Sequence, residues 1–239
     1  CRMWFLRDQL DDPEATECGR CDNCGGLDLP THVSAEAVSQ AQERLARPGV
    51  PLPPRKMWPT GLDRIGIDLR GRVSEQAQEG RAVARLTDLG YGQALRELFR
   101  EDTEDGPVPV PLVQAVIEVL GDWRPAVDAI VEMESVSRSE LVGSLADGLS
   151  RYLQVPLLGR WAVLDPDVPP GRGAANSAQR VAAVSRRCGL EAEPGAFEGR
   201  RVLLVDDLVD TGWSTTLAAR AVLRAGASSV TPLVLAVRA

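Results

Sequence analysis

The chain has 239 residues, 44% of them hydrophobic and 26% charged, with a formal net charge of −7. That balance is ordinary for a globular protein and the length allows more than one domain, while no apolar run reaches the roughly 20 residues that a bilayer span needs. A charged-then-apolar leader is also missing from the sequence, so membrane and export roles are set aside and a cytoplasmic protein is expected.

Met3, Trp4, Phe5, Leu6 and Leu10 space out as a short amphipathic helix that carries Cys1. Beyond the turn signal at Asp12-Pro13 comes Cys18-Gly-Arg-Cys21-Asp-Asn-Cys24, two overlapping Cys-x-x-Cys turns. Three sulfurs from one short loop and a fourth from Cys1 are the donor set of a structural zinc site, since zinc takes four thiolates tetrahedrally with no geometric preference of its own. The expected metal ligands are therefore Cys1, Cys18, Cys21 and Cys24. A disulfide framework is the competing reading, but it belongs to small secreted domains in oxidising compartments.

Cys1-Arg2, the long gap, and Cys18-Gly19-Arg20-Cys21-Asp22-Asn23-Cys24 resemble the zinc-binding module of RecQ-family DNA helicases. The resemblance implies a module that follows two motor lobes and supports folding and DNA binding. No Gly-x-x-x-x-Gly-Lys-Ser/Thr phosphate loop occurs in the chain, so it is expected to be the C-terminal part of an ATP-dependent DNA helicase without its ATPase motor. ATP would then serve only the missing lobes, which become an expected partner, together with DNA.

Ser34 is placed to cap a helix over about Ala35–Ala46. Pro48, Pro51, Pro53 and Pro54 then force an extended segment, and Ile65, Ile67 and Leu69 alternate as a strand does. Glu75–Leu86 and Gly92–Phe99 look helical. From Arg44 to Arg100 there are eleven basic residues against six acidic ones, so phosphate contacts to DNA are expected here, with Arg55, Lys56, Arg64, Arg70 and Arg72 as candidates. Residues 31–106 are read as a mixed α+β middle domain. The helicase resemblance implies a winged-helix-like fold for it; a linker domain whose Arg residues form a solvated face is the alternative. His32, the only histidine, reads as a surface residue.

Glu101-Asp-Thr-Glu-Asp-Gly-Pro107-Val-Pro109-Val-Pro111 is taken as a domain boundary, because acidic residues and spaced prolines suit neither a helix interior nor a central strand. The domains expected are thus 1–30, 31–106 and 107–239. In the last, Leu112–Leu120, Ser139–Leu153, Ala174–Arg187 and Ser214–Ala225 read as helices. Val127–Met133, Arg201–Val205 and Val230–Val237 read as buried strands. Such alternation argues for an α/β fold with a parallel sheet covered on both faces.

Val202-Leu203-Leu204-Val205-Asp206-Asp207-Leu208-Val209-Asp210-Thr211-Gly212-Trp213-Ser214-Thr215 joins a buried strand to a paired carboxylate and then to a short loop opening a helix. Free N–H groups and the helix dipole favour an anion at such a loop. The string resembles the phosphoribosyl pyrophosphate (PRPP) motif of type I phosphoribosyltransferases. The resemblance implies that Asp206 and Asp207 hold ribose hydroxyls and that Asp210, Thr211, Gly212, Trp213, Ser214 and Thr215 enclose the 5-phosphate. It further implies a pyrophosphate loop with Ser135, Ser137, Arg138 and Ser139, and a hood loop over Asp165–Gly173, with magnesium accompanying PRPP. Within that superfamily the string is similar to the competence-associated ComF type, and RecQ-like helicases with such a tail occur in actinobacteria.

Trp213 adds bulk to the phosphate loop, Glu134 adds a negative charge beside the pyrophosphate position, and no residue can be assigned to a base pocket. The C-terminal domain is therefore expected to be a non-catalytic ligand sensor or interaction module, with a phosphoribosyl-type small molecule as partner. An active phosphoribosyltransferase fused to a helicase is the alternative, and no catalytic residue is assigned. Cys188 reads as a small buried hydrophobe.

Overall fold

The computed structural model describes residues 1–25, 33–45 and 47–238, and they fall into two compact units, Cys1–Arg44 and Leu45–Ala239. His32 lies outside the described residues.

In the first unit, α1 (Arg2–Asp8) is capped by Cys1, whose sulfur accepts from the Trp4 amide at 3.5 Å. A 3-10 turn covers Asp22–Cys24, and α2 spans Ala35–Leu45 with the Ser34 hydroxyl accepting from the Ala37 amide at 3.1 Å. None of the described residues of this unit is buried. Trp4, Phe5, Leu6 and Leu10 are 42–73% exposed, so no apolar core holds residues 1–25 together. The order there comes from polar links: Arg2 grips Asp22 with two bonds of 2.6 and 2.5 Å, and Arg7 holds Asp12 at 2.6 Å. Small modules without a core need a staple, and the thiol cluster is the only one among the described residues.

The second unit is built on one seven-stranded sheet. Its strands are β1 (Val50–Leu52), β2 (Gly80–Arg85), β3 (Ala129–Met133), β4 (Leu157–Val163), β5 (Cys188–Ala192), β6 (Arg201–Val209) and β7 (Ser229–Val237), in the order β1-β2-β7-β6-β3-β4-β5. The five inner strands run parallel, and β1 and β5 close the edges antiparallel. Among the described residues, five α-helices complete it: α3 (Tyr91–Leu98), α4 (Val110–Trp123), α5 (Ser139–Leu153), α6 (Ser177–Arg187) and α7 (Trp213–Arg224). Along β6, Val202 and Leu204 face the core under α6 and α7, while Leu203 and Val205 face that under α3, α4 and α5. Burial on both faces is why this strand reads as an unbroken apolar run. The α/β architecture with a parallel-dominated sheet is as expected.

Three local expectations are corrected. Within Glu75–Leu86 the chain forms β2, not a helix: Ala82, Val83 and Ala84 are buried, and the strand pairs in parallel with β7. Ile65, Ile67 and Leu69 form no strand. Ile65 ends a 3-10 turn at Asp63–Ile65 and the other two follow it; all three pack against the α6–α7 core, with the Ile67 amide bonded locally to the Leu62 carbonyl. Alternation reports one-sided burial; a strand also needs a ladder partner. Finally, the compact unit begins at residue 45 and not at 107, because β1 and β2 belong to the same sheet as β7. The prolines at 107–111 bound α4 without dividing the unit: Pro109 precedes its first residue and Pro111 sits in its first turn, where a missing N–H goes unnoticed.

Candidate functional site

From β3 the chain proceeds outward to β4, and from β6 it proceeds outward the other way to β7, so the direction of winding reverses between β3 and β6. In open α/β sheets a crevice forms beyond the carboxyl ends of the two strands at such a reversal, and ligands bind there. Asp206 and Asp207 stand on β6 where it runs past the end of β3, whose last paired residue is Glu132 opposite Val205. The Asp207 amide donates to Asp206 Oδ1 at 2.9 Å, and Ser135, from the loop after β3, donates its hydroxyl to Asp207 Oδ2 at 3.0 Å. Burial pushes the carboxyl of Asp206 well above the ordinary range, with the neighbouring Asp207 charge adding to it. Burial raises Asp207 too, opposed by the Ser135 hydroxyl and by the nearby Arg172 charge. Adjacent carboxylates, one half-buried and one buried, favour a cation or hydroxyl donors between them.

β6 leads directly into the second part of the site. Gly212, at φ +76°, turns the chain into α7, a left-handed conformation that disfavours any residue with a Cβ. No side chain caps this helix, so its first amides remain available to an anion. Two guanidinium groups stand against the loop. Arg55 donates from Nε to the Thr211 carbonyl at 2.9 Å and lies over the Trp213 ring, 5.1 Å from its centroid. Arg180 of α6 reaches Asp210 Oδ2 at 2.7 Å and Thr211 Oγ1 at 3.2 Å. A cavity of about 370 Å³ opens beside the loop, lined by Arg55, Lys56, Gln76, Thr211, Gly212 and Thr215 among others.

Asp206, Asp207, Asp210, Thr211, Gly212, Ser214 and Thr215 thus lie along one strand end, loop and helix start. Trp213 departs from its expected role. Its side chain is buried and stacks on Trp58, with centroids 6.1 Å apart, so the ring belongs to the core and only the backbone of this residue faces the loop. Arg138 is buried and donates to the carbonyls of Thr103 (2.5 Å) and Arg100 (2.6 Å), so its guanidinium is engaged within the chain. Ser139 faces Asp105 at 3.4 Å, Ser137 is exposed, and Ser135 serves Asp207.

The cations expected at DNA are spread along residues 55–72. Arg55 is engaged at the loop and Lys56 lines the cavity beside it. Arg64 lines a second concavity with Thr60, Asn176 and Gln179, Arg70 approaches Asp68 at 4.0 Å, and Arg72 pairs by a single β-bridge with Met57. Sequence reasoning missed Arg180, Arg172, Asp105 and Trp58, and it missed the position of Arg55 at the loop. Arg172 lies within the expected hood loop but was not singled out, and the others meet the site only through tertiary contact.

In the first unit, one sulfur from each of Cys1, Cys18, Cys21 and Cys24 lies within 4.8 Å of the others, and Cys1 and Cys21 are 3.9 Å apart. Zinc–sulfur bonds of about 2.3 Å place the sulfurs of a regular tetrahedron roughly 3.8 Å apart, so the cluster fits the ion closely. The Cys18 amide donates to the Cys1 sulfur at 3.2 Å. The Arg2 amide, bonded to Cys21, holds that thiol down at about 7, while desolvation raises Cys24. Amide donors aimed at sulfur are the supports a metal-bound thiolate uses. The four residues could hold a metal such as zinc.

No protein-family model matches this chain, and no curated protein matches it. Among solved structures it is similar to the glutamine PRPP amidotransferase of B. subtilis complexed with ADP and GMP. That likeness has 23% identity and a TM-score of 0.32, over 46% of this chain and 22% of the other, so the chain spans about a fifth of that protein's length. It is also similar to a purine phosphoribosyltransferase of Pyrococcus horikoshii Ot3 (19% identity, TM-score 0.34, over 56% of this chain and 79% of that one). An adenine phosphoribosyltransferase matches at 17% identity and a TM-score of 0.35, over 62% and 89%. Likenesses at these scores add no weight to the site described above.

Proposed function

We propose that residues 45–239 bind a phosphoribosyl compound at the end of β6, and that the chain is the accessory, C-terminal region of a RecQ-like ATP-dependent DNA helicase, with this domain acting as a ligand sensor or interaction module. The observation that carries the first part is the union, at the winding reversal, of the half-buried Asp206 and buried Asp207 with an uncapped helix start flanked by Arg55 and Arg180. Carboxylates accept from vicinal hydroxyls, and the loop amides with two guanidinium groups suit a phosphate monoester. Asp206 and Asp207 take the ribose hydroxyls. Residues 210–215 take the 5-phosphate by backbone and hydroxyl donors, and Arg180 moves from Asp210 to the incoming phosphate.

The helicase reading is supported by the four-thiol cluster and by the Arg2–Asp22 clasp that locks the first turn of α1 to the thiol loop. In that reading Cys1, Cys18, Cys21 and Cys24 hold structural zinc, and the exposed Trp4, Phe5, Leu6 and Leu10 offer a preceding motor lobe an apolar surface. DNA is met by the exposed arginines of residues 64–72. The second reading, an active phosphoribosyltransferase, is weakened by Arg138, which is tied to two carbonyls.

The test is a thermal-shift titration with ribose 5-phosphate and 2-deoxyribose 5-phosphate, each with magnesium. Ribose 5-phosphate should raise the melting temperature of the second unit. Loss of the 2-hydroxyl should weaken binding about tenfold or more, the value of a hydrogen bond to a charged acceptor. Equal shifts by the two sugars would reject the role given to the carboxylate pair, and no shift with either would reject the ligand class.

A further inference from the structure

The loop after β3 reaches Asp207 through the Ser135 hydroxyl, so a group at the 1-position of a sugar held by the carboxylate pair would lie against it. The loop's guanidinium and the Glu140 and Leu141 amides at the start of α5 are already engaged within the chain. The first amides of α5 are taken by a remote carboxylate: Asp105 accepts from the Glu140 amide at 2.8 Å, from the Leu141 amide at 3.2 Å and from the Ser139 hydroxyl at 3.4 Å. The one guanidinium of the loop, Arg138, is buried with both terminal nitrogens on the Thr103 and Arg100 carbonyls. The Ser135 hydroxyl goes to Asp207. Glu134 folds its carboxylate across to accept from the Val163 amide at 2.7 Å, which leaves a second negative charge on the same side. Asp105, Gly106 and Arg138 form one knot, with the segment 100–106 laid against the start of α5.

A helix start that already holds an anion has little left for another, and two fixed carboxylates repel a diphosphate. On the other side of the Asp pair the position is reversed, for α7 is uncapped and flanked by two cations. We infer that the pocket, if it binds phosphoribosyl compounds as proposed above, takes ribose 5-phosphate monoesters, whether the free sugar phosphate or a nucleoside 5′-monophosphate, and gains nothing from a 1-pyrophosphate because Asp105 stands in its place. The domain is then a reader of monophosphate and not a user of PRPP. No group transfer is required of it.

Calorimetric titration of the whole chain in magnesium buffer separates the possibilities. PRPP should bind no more tightly than ribose 5-phosphate, and a preference for PRPP above about twofold overturns the inference. Adenosine and guanosine monophosphates, in parallel arms, distinguish the two sources; binding tighter than the sugar phosphate assigns the nucleotide, equal or weaker binding assigns the free sugar, and both agree with the inference. Failure of all four compounds to bind rejects the phosphoribosyl reading itself. Asp105→Ala frees the α5 amides and should shift the PRPP to ribose 5-phosphate ratio at least about threefold toward PRPP. An unchanged ratio in folded protein removes Asp105 from the role. Should that variant not fold, Asp105→Asn keeps a capping oxygen without the charge, and it should move the ratio in the same direction.

Discussion

Asp206 and Asp207 hold a costly position. Burial raises the carboxyl of both, so the folded chain resists their ionisation where the unfolded chain accepts it freely. The sign for stability follows from linkage: with folded values above unfolded ones, the fold loses stability as pH climbs from about 4, the unfolded carboxylate value, to the raised folded value, and stays level beyond it. Asp206→Asn keeps an oxygen for the Asp207 amide and removes the charge. Its melting temperature should exceed that of the parent at about pH 8 and match it near pH 3, while ribose 5-phosphate binding is lost. A variant less stable than the parent at the higher pH would contradict the account. Stability given up for a binding group is a common feature of functional sites.

Residues of this kind also show how far the sequence could be read. The buried strand, the carboxylates at its end and the turn into α7 were legible because the whole string from Val202 to Thr215 is continuous, each part with a local reason to sit where it does. Arg55 and Arg180 reach Thr211 across 156 and 31 residues, and no spacing rule foretells such an approach. Arg138 looked available from its place in the loop. Only the fold shows the carbonyls of Arg100 and Thr103 waiting for it.

At the scale of elements, helices and central strands were legible where both hydrophobic period and end signals agreed. Ser139–Leu153 is the helix expected, to the residue. β2 was not, because its six residues GRAVAR carry small buried side chains after a polar run, Glu75 to Glu79, that suits a helix equally well. What selects the strand is close packing against β7. A Cβ on Gly80 would meet the Pro232 carbonyl oxygen closer than the two atoms can approach. Gly80→Ala should therefore cost about 1–3 kcal/mol, or roughly 3–9 °C in melting temperature for a domain of this size. Melting within 1 °C of the parent, by calorimetry, would show that β2 is free to shift and that its pairing is not what holds residues 45–106 in the sheet.

Taken whole, the chain has one unit held by polar links and thiols and another held by apolar clusters on both faces of its sheet. Their sensitivity to metal should differ accordingly. Stripping metal with a strong chelator, or Cys21→Ser, should abolish the order of residues 1–25 and leave the melting of the second unit unchanged. Proteolysis confined to the N-terminal segment of the stripped protein would register the outcome, and a module equally resistant with and without metal would remove zinc from its fold.

The most direct test of the central claim, that the end of β6 is a phosphoribosyl site, is a chemical-shift titration of isotope-labelled protein with ribose 5-phosphate. Saturable shifts are predicted at the amides of Asp206, Asp207 and residues 211–215, with the Arg55 and Arg180 side chains responding alongside. Shifts gathered instead around residues 60–65 and 176–179, or none at saturating sugar phosphate, would contradict it.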